Sequence, residues 1–201
     1  AMPIPDEVIQ VWKDEALAGG TCGPPACDGS GNYNLDNGAS ASLGPLKIPG
    51  TLKVDNLSIL TVTGTIWVAG DIILSNNCQI RLSPSYGSFS GVILTDGKAV
   101  ISNNCQFQDS GDPQSYIMLL SDKNSPSEEI LVVDNNSAGV IYYAGRGLIK
   151  FSNNAQAKEA TAYGIRLDNG ATITYESGLA DLNFSSGPSA GYSIKYWREV
   201  Q

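Results

Sequence analysis

Two acidic pairs, Asp109 with Asp112 and Glu128 with Glu129, are the residues whose type and spacing suit acid–base chemistry on sugars. Glycoside hydrolysis needs two carboxylates facing each other about 5 to 9.5 Å apart, one donating a proton and one attacking or activating water. Here the pairs fall in separate segments. The other candidates, Asp55, Asp134 and Asp168, recur at one position of a repeat where Ser75, Ser102 and Ser152 stand elsewhere, the mark of a turn-forming residue. The chain has no His, which excludes Ser-His-Asp and Cys-His catalysis. Arg146, Arg166, Lys150 and Lys158 show no spacing that pairs them with the carboxylates. The expectation is a domain that is not an enzyme; a carbohydrate-active lyase or hydrolase is the alternative.

Metal and thiol chemistry are read the same way. The run from Asp28 to Asp36 offers side-chain oxygens at alternate positions, as an EF-hand loop does. Tyr33 stands where the sixth-position Gly belongs and Ala39 where the twelfth-position Glu belongs. A Gly/Asn-rich connection is expected there, with no metal and no cofactor. Cys22 and Cys27 close a short Gly/Pro loop outside the repeat and are expected to form a disulfide in an oxidising compartment. Cys78 and Cys105 occupy one column of consecutive repeats. Strands about 4.8 Å apart hold their Cβ atoms farther apart than the roughly 3.8 Å a relaxed disulfide prefers, so free, buried thiols are expected.

That column belongs to a repeat centred on Asn56, Asn76, Asn103, Asn135, Asn153 and Asn169, with spacings of 20, 27, 32, 18 and 16 residues. Two residues before each Asn stand Val54, Leu74, Ile101, Val133, Phe151 and Leu167; two after it stand Ser58, Cys78, Cys105, Ser137, Ala155 and Ala171. Period-two alternation puts these side chains on one face of short strands meeting at a corner, and Asn tolerates the left-handed backbone a corner needs. The predicted fold class is all-β, a single-stranded parallel β-helix of about six or more coils with a short N-terminal capping α-helix. The six Asn are expected to stack as a ladder along one edge.

Residues 1–20 carry the helix, over Asp6 to Ala18. Asp6 is placed to cap it, Gly19-Gly20 to stop it, and Val8, Trp12 and Ala16 to plug an open end of the core. Residues 21–50 form a Cys/Gly/Pro-rich connection into the first coil, 51–190 the β-helix, and 191–201 a capping strand that covers the last coil. Three polar excursions, Ser83–Ser90, Gln108–Ser115 and Lys123–Glu129, are expected to project from one side. There Tyr86, Phe89, Asp109, Asp112 and Gln114 are the candidate ligand contacts.

Composition narrows the partners. With 201 residues, 42 % of them hydrophobic and 16 % charged, the chain suffices for one continuous core. A net charge of −8 without a basic cluster excludes the phosphate neutralisation that nucleic-acid binding requires.

The Ile9–Ala16 stretch, the segment Gly64-Thr65-Ile66-Trp67-Val68-Ala69-Gly70-Asp71, the Ser-Asn-Asn corners and the ending around Phe184–Pro188 and Ile194–Glu199 carry a resemblance. Nearly the whole chain resembles the C-terminal ectodomains of large pilin-like surface proteins of bacterial candidate phyla, annotated in that group as pilus-assembly proteins. The resemblance implies an extracellular, cell-surface location and a structural or adhesive role. It further implies pilus components, cell-surface components or surface glycans as partners, and an N-terminal membrane anchor outside these residues.

Overall fold

The computed structural model describes residues 4–139 and 141–174, and the backbone of 183–187 and 190–193. It is all-β with one helix, and the strands run overwhelmingly parallel.

Short strands fall into three columns, each strand pairing in parallel with the third one before it. The first column is β1 (Tyr33–Leu35), β4 (Leu52–Val54), β7 (Ile72–Leu74), β10 (Ala99–Ile101) and β13 (Ser125–Val133). The second is β2 (Ser40–Leu43), β5 (Ile59–Val62), β8 (Gln79–Leu82) and β11 (Gln106–Gln108). The third is β3 (Leu46–Ile48), β6 (Ile66–Val68), β9 (Gly91–Thr95) and β12 (Ile117–Ser121). The longer β14 (Ile141–Phe151) then pairs with β12 through its first half and with β13 through its second. It thereby joins two columns into one nearly closed, barrel-like sheet. β16 (Glu159–Leu167) pairs along β14, and β15 (Gln156–Ala157) pairs with β17 (Thr172–Ile173). Register is set by the alternation: Leu52, Ile72, Ala99, Leu131 and Ile149 share one row, Val54, Leu74, Ile101, Val133 and Phe151 the next, and all ten side chains are buried. A one-residue slip would turn every one of them outward.

The first and second columns meet at the corners. In each, two consecutive residues take left-handed backbone: Asn76 and Asn77, Asn103 and Asn104, Asn135 and Asn136, Asn153 and Asn154, Asn169 and Gly170, and Asn56 with Leu57. Where the closing bond is made, as from Ser58 N–H to the Asp55 carbonyl at 3.2 Å, the turn is of the mirror-image type I′ class. Asn37 with Gly38 forms one more such corner, between β1 and β2. The repeat therefore begins inside the segment expected to be only a connection. The sign was present: Asp36-Asn37-Gly38-Ala39 is the same four residues as Asp168-Asn169-Gly170-Ala171.

Along the corner the side chains form a one-way ladder, each amide donating to the preceding repeat. Asn169 donates to Asn153 at 3.1 Å, Asn135 to Asn103 at 2.9 Å, Asn103 to Asn76 at 3.0 Å, Asn76 to Asn56 at 3.2 Å and Asn56 to Asp36 at 2.7 Å. Asn153 steps across to Asp134 at 2.7 Å. A second ladder runs beside it through Asn154, Asn136, Asn104 and Asn77 and stops at Leu57, which is 66 % exposed. Burial works against the Asp55 carboxylate. Lys53, the Ser75 hydroxyl and the Asn56 and Asn76 donors nevertheless hold it below the ordinary carboxylate range.

Immediately after the corner the side chain must be small and inward: Ser58, Cys78, Cys105, Ser137 and Ala155 are all fully buried. Here the thiol expectation fails. Cys78 and Cys105 are bonded, their Cα atoms only 4.5 Å apart, because the chain is pinched at the corner below the ordinary strand spacing. Cys22 and Cys27 are bonded as well, with Cα atoms 5.7 Å apart.

Helix α1 (Asp6–Ala18) does not plug an end. It lies against the outer side of β3 and β6, with Ile4, Ile9 and Trp12 packed on Val92, Leu94, Met118 and Leu120. The reason lies in β9 and β12, whose residues are buried without alternation: both faces are apolar, so the outer face needs a cover. Pro5, not Asp6, sits at the N-cap, and Asp6 instead pairs with Arg146 at 2.8 Å. Lys13 fixes the middle of the helix through Asp96 and Asp122, each at 2.7 Å. Gly19 passes so close to the Pro45 carbonyl that an added Cβ would lie 2.0 Å from its oxygen. The Cys22–Cys27 loop is joined to β3 by the Thr21–Lys47 bridge, and its two cysteines pack into the main core with Tyr33 and Ile48, while Pro24, Pro25 and Ala26 between them are exposed.

The backbone of β18 (Asn183–Gly187) pairs antiparallel with β19 (Ala190–Ser193) and lies against β9 and α1. Residues 194–201 of the expected capping strand lie outside the described residues. Among the described residues, no helix is long and apolar enough to cross a membrane.

Two outcomes test this account. Alkylation of the denatured, unreduced protein is expected to label no cysteine; labelled peptides holding Cys78 or Cys105 would refute the second bridge. Asn103→Leu removes two ladder bonds and places a branched side chain at left-handed φ, so unfolding in denaturant should show a loss of about 3 kcal/mol. Leu57→Asn, extending the second ladder, should gain about 1 kcal/mol. Equal stabilities for the three proteins would dismiss the ladder as a source of stability.

Candidate functional site

Two of the three polar excursions share a side. Ser83–Ser90 joins β8 to β9 and Gln108–Ser115 joins β11 to β12, both leaving the second column for the third. The third expected excursion, Lys123–Glu129, lies between the third column and the first, and from Ser125 onward it is strand, the start of β13. It therefore does not project with the others. Glu128 binds Lys123 and Lys98 at 2.9 and 3.3 Å, Glu129 lies 3.9 Å from Lys150 and 3.7 Å from Arg166, and the two lysines hold the Glu128 carboxyl below its usual range.

The first excursion opens with a single 3-10 turn, Pro84–Tyr86, started by Pro84 and closed by left-handed Gly87. The second is a run of side-chain-capped turns. Asp109 accepts from Gly111 N–H and Asp112 from Gln114 N–H, each at 2.9 Å, and Ser115 Oγ accepts from Ser110 N–H at 2.9 Å. The two excursions are tied together by the Ser110 hydroxyl donating to the Gly87 carbonyl and by Tyr116 N–H donating to Ser90 Oγ at 3.0 Å.

Between these loops and the outer face of the second column lies an open groove of about 570 Å³. Its floor is a row of outward side chains in register, Thr61 on β5, Arg81 on β8 and Gln108 on β11. Pro84, Asp109, Ser110 and Tyr116 form the loop-side wall, and Gly139, level with Phe107 in register, and Lys158 extend the groove beyond Gln108. Phe107 contributes a sliver of apolar surface, being 8 % exposed, and the Lys158 ammonium sits 4.7 Å from the centre of the Tyr116 ring.

No protein-family model, curated protein or solved structure matches this chain. The groove's chemistry must therefore be read from its own residues.

Of the five expected ligand contacts, Asp109 alone lines the groove. Asp112 and Gln114 belong to the turn beside it, and Phe89 is 38 % exposed on the first excursion. Tyr86 is a core residue, 1 % exposed, its hydroxyl without a partner among the described residues; burial, then the charge of Glu15, pushes its pKa far up. Loop membership gave no warning that Tyr86 turns inward. The structure shows why it does: Gly91 leaves room for the ring, since an added Cβ there would meet the Leu82 and Tyr86 side chains. Sequence reasoning missed Arg81, Thr61, Tyr116 and Lys158. The first two were legible as outward partners of buried Leu60, Ile80 and Leu82, whereas the wall residues depend on how the loops fold back.

The metal expectation can be placed too. Asp28 accepts from Ser30 N–H, Asn32 N–H and the Asn32 side chain, and Asn32 Oδ1 accepts from Thr51 N–H. These bonds lock the segment as a turn, and they hold the Asp28 carboxyl below its usual range. Among the described residues, no three acidic or Cys side chains cluster as metal ligands. Burial raises the Glu159 carboxyl above the ordinary range, but Glu159 does not line the groove.

Tyr86→Phe removes only a buried hydroxyl that has no partner among the described residues. It is expected to leave stability unchanged or raise it by up to about 1 kcal/mol, whereas Tyr86→Ala should cost about 3 to 5 kcal/mol. Thermal unfolding of the two variants reads this, and a large loss in Tyr86→Phe would show that the hydroxyl has a role assigned to it neither here nor in the core.

Proposed function

We propose that the three columns are the faces of a parallel β-helix, and that this β-helix is an extracellular, non-catalytic domain of a pilin-like surface protein, structural and adhesive in role. The observation that carries the reading is the state of the cysteines: all four are bonded, and one bond staples consecutive repeats. Paired cysteines of this kind persist in oxidising compartments and are rare where glutathione and thioredoxin act. Pairing of each strand with the third before it supports the β-helix part of the reading, since each repeat covers one face of its neighbour.

The carboxylates support a non-catalytic role. Asp109, Asp112, Asp55 and Asp134 accept from nearby backbone or amide donors, Asp168 pairs with Arg166, and Glu128 and Glu129 face lysines and an arginine. A stiff stack held by backbone and amide ladders suits display of a fixed surface at a distance from a membrane. Its partners are pilus or other cell-surface components and surface glycans.

On intact cells that produce the native protein, a membrane-impermeant amine label is expected to reach its lysines. Protein trapped with an alkylating agent at lysis is expected to carry no alkylated cysteine. Labelling only after lysis, or recovery of the protein with modified thiols, would overturn the extracellular reading. Release of reducing ends or unsaturated sugars from uronate polymers, lost in Asp109→Asn, would overturn the non-catalytic one.

A further inference from the structure

Three arginines are among the described residues with side chains, and two of them face carboxylates. Arg146 binds Asp6 at 2.8 Å and Asp122 at 2.9 Å; Arg166 binds Asp168 at 2.8 Å and lies 3.7 Å from Glu129. Arg81 differs. Its Nε and Nη2 both donate to the neutral amide oxygen of Gln79, the first at 3.1 Å, and no carboxylate among the described residues pairs with it. In a chain of net charge −8 this guanidinium is oriented without being neutralised by any carboxylate among the described residues, and it stands on the floor of the groove.

The shape of the groove is a second, separate observation. Its lining runs from Thr61 through Arg81 and Gln108, which are in register, past Gly139 to Lys158, one residue from each of five successive repeats. At about 4.8 Å per repeat the row is about 19 Å long, parallel to the direction in which the repeats stack. The groove runs across the floor strands, and β5 and β8 are hydrogen-bonded on both sides while β11 is paired with β8 and bridged to Ala138, so an extended peptide lying along it meets no strand edge to pair with. It offers a hydroxyl, an amide and cationic side chains along one line, with the Tyr116 ring as an apolar wall. That combination suits sugar hydroxyls and the flat faces of sugar rings.

We propose that this groove binds a linear, carboxylate-bearing saccharide, with Arg81 anchoring one carboxylate as a two-pronged donor and Tyr116 packing against a neighbouring ring. This deepens the adhesive part of the reading above and rests on it. Asp109, on the loop-side wall, opposes such a ligand and biases the groove against ligands of very high charge density.

The test uses the purified protein in an amide NMR titration with a short oligogalacturonate, a neutral cello-oligosaccharide of equal length, a poly-glutamate peptide and inorganic phosphate. The oligogalacturonate is expected to shift signals around Arg81, Gln108 and Tyr116, with an affinity that falls as salt rises. Arg81→Gln should weaken binding roughly tenfold or more, with Arg81→Lys between the two, because a lysine keeps the charge and loses the fork. Asp109→Asn keeps the oxygen that accepts from Gly111 and removes the opposing charge, so it should tighten binding about two- to threefold. The proposal is overturned if the neutral sugar, the peptide or phosphate binds as tightly, if Arg81→Gln stays within twofold of the unaltered protein, or if the oligogalacturonate gives no shifts at millimolar concentration. Because surface display is read on cells and binding on purified protein, failure here removes the ligand and leaves the display reading standing.

Discussion

Two consecutive residues at left-handed φ are what a chain needs to leave one strand and begin the next within four residues, and for an ordinary L-residue each costs roughly 1–2 kcal/mol. The corners of this protein incur that cost in every repeat. Asn lowers it locally and offsets it across repeats, because a primary amide both donates and accepts. Each corner Asn can therefore bond to the repeat before it and be bonded by the repeat after it. An ionised Asp, which only accepts, can extend such a line in one direction, and Leu in none. Asp36, an acceptor only, fittingly begins it, and Leu57 ends the second line. Backbone bonds such as Asn77 N–H to the Asn103 carbonyl, at 2.8 Å, run through the same corners. The small buried residue that follows each corner fits this tight turn, and at Cys78 and Cys105 the Cα atoms stand 4.5 Å apart, close enough to bond.

A corner this rigid fixes two columns and leaves the third to other forces. The third column is joined to the second by connections that vary from a tight turn to whole excursions, and its later strands are apolar on both faces. Inner residues such as Ile93 and Leu119 enter the main core, while Val92, Leu94, Met118 and Leu120 need a separate cover. The helix supplies it with Ile9 and Trp12. Lys13 stands between Asp96 and Asp122, while Trp67 donates to Asp96 at 2.9 Å and carries the Lys47 ammonium 4.0 Å from its ring centre. Burial works to lower the Lys13 pKa, and its hydrogen bonds to the Asp122 and Asp96 carboxylates more than offset it, so the ammonium is held above its usual range. Helix and third column are thus one unit, and the excursions that wall the groove hang from its edge.

The strands and corners were legible because they obey local rules: period-two alternation, a corner residue that accepts left-handed backbone, and a small residue after it. The helix was legible from Trp12 and Ala16, but its place was not. An amphipathic stripe says that a face is buried and does not say against what, and the unalternating runs in β9 and β12 were the better guide. The Cys78–Cys105 bond was missed because average strand spacing was applied at a point where the chain is pinched. Asp109 was found because turns draw Asp to loops. Arg81 was missed because its significance lies in having no carboxylate partner among the described residues, which only side-chain placement reveals.

Burial in such a fold is a property of neighbours as much as of residues. Ile165 and Leu167 occupy the same rows as Ile149 and Phe151, their partners in register on β14, which are fully buried. Yet Ile165 is 44 % and Leu167 50 % exposed, because no further repeat among the described residues lies over β16. At the other end Tyr33 and Leu35, with no strand paired before them, are almost as well buried as the middle of their rows, since the Cys22–Cys27 loop packs into the same core. The two ends of the stack thus differ through what covers them and not through the hydrophobicity of their own strands. A repeat contributes its full core only when something lies on both of its sides, whether another repeat or a disulfide-closed loop.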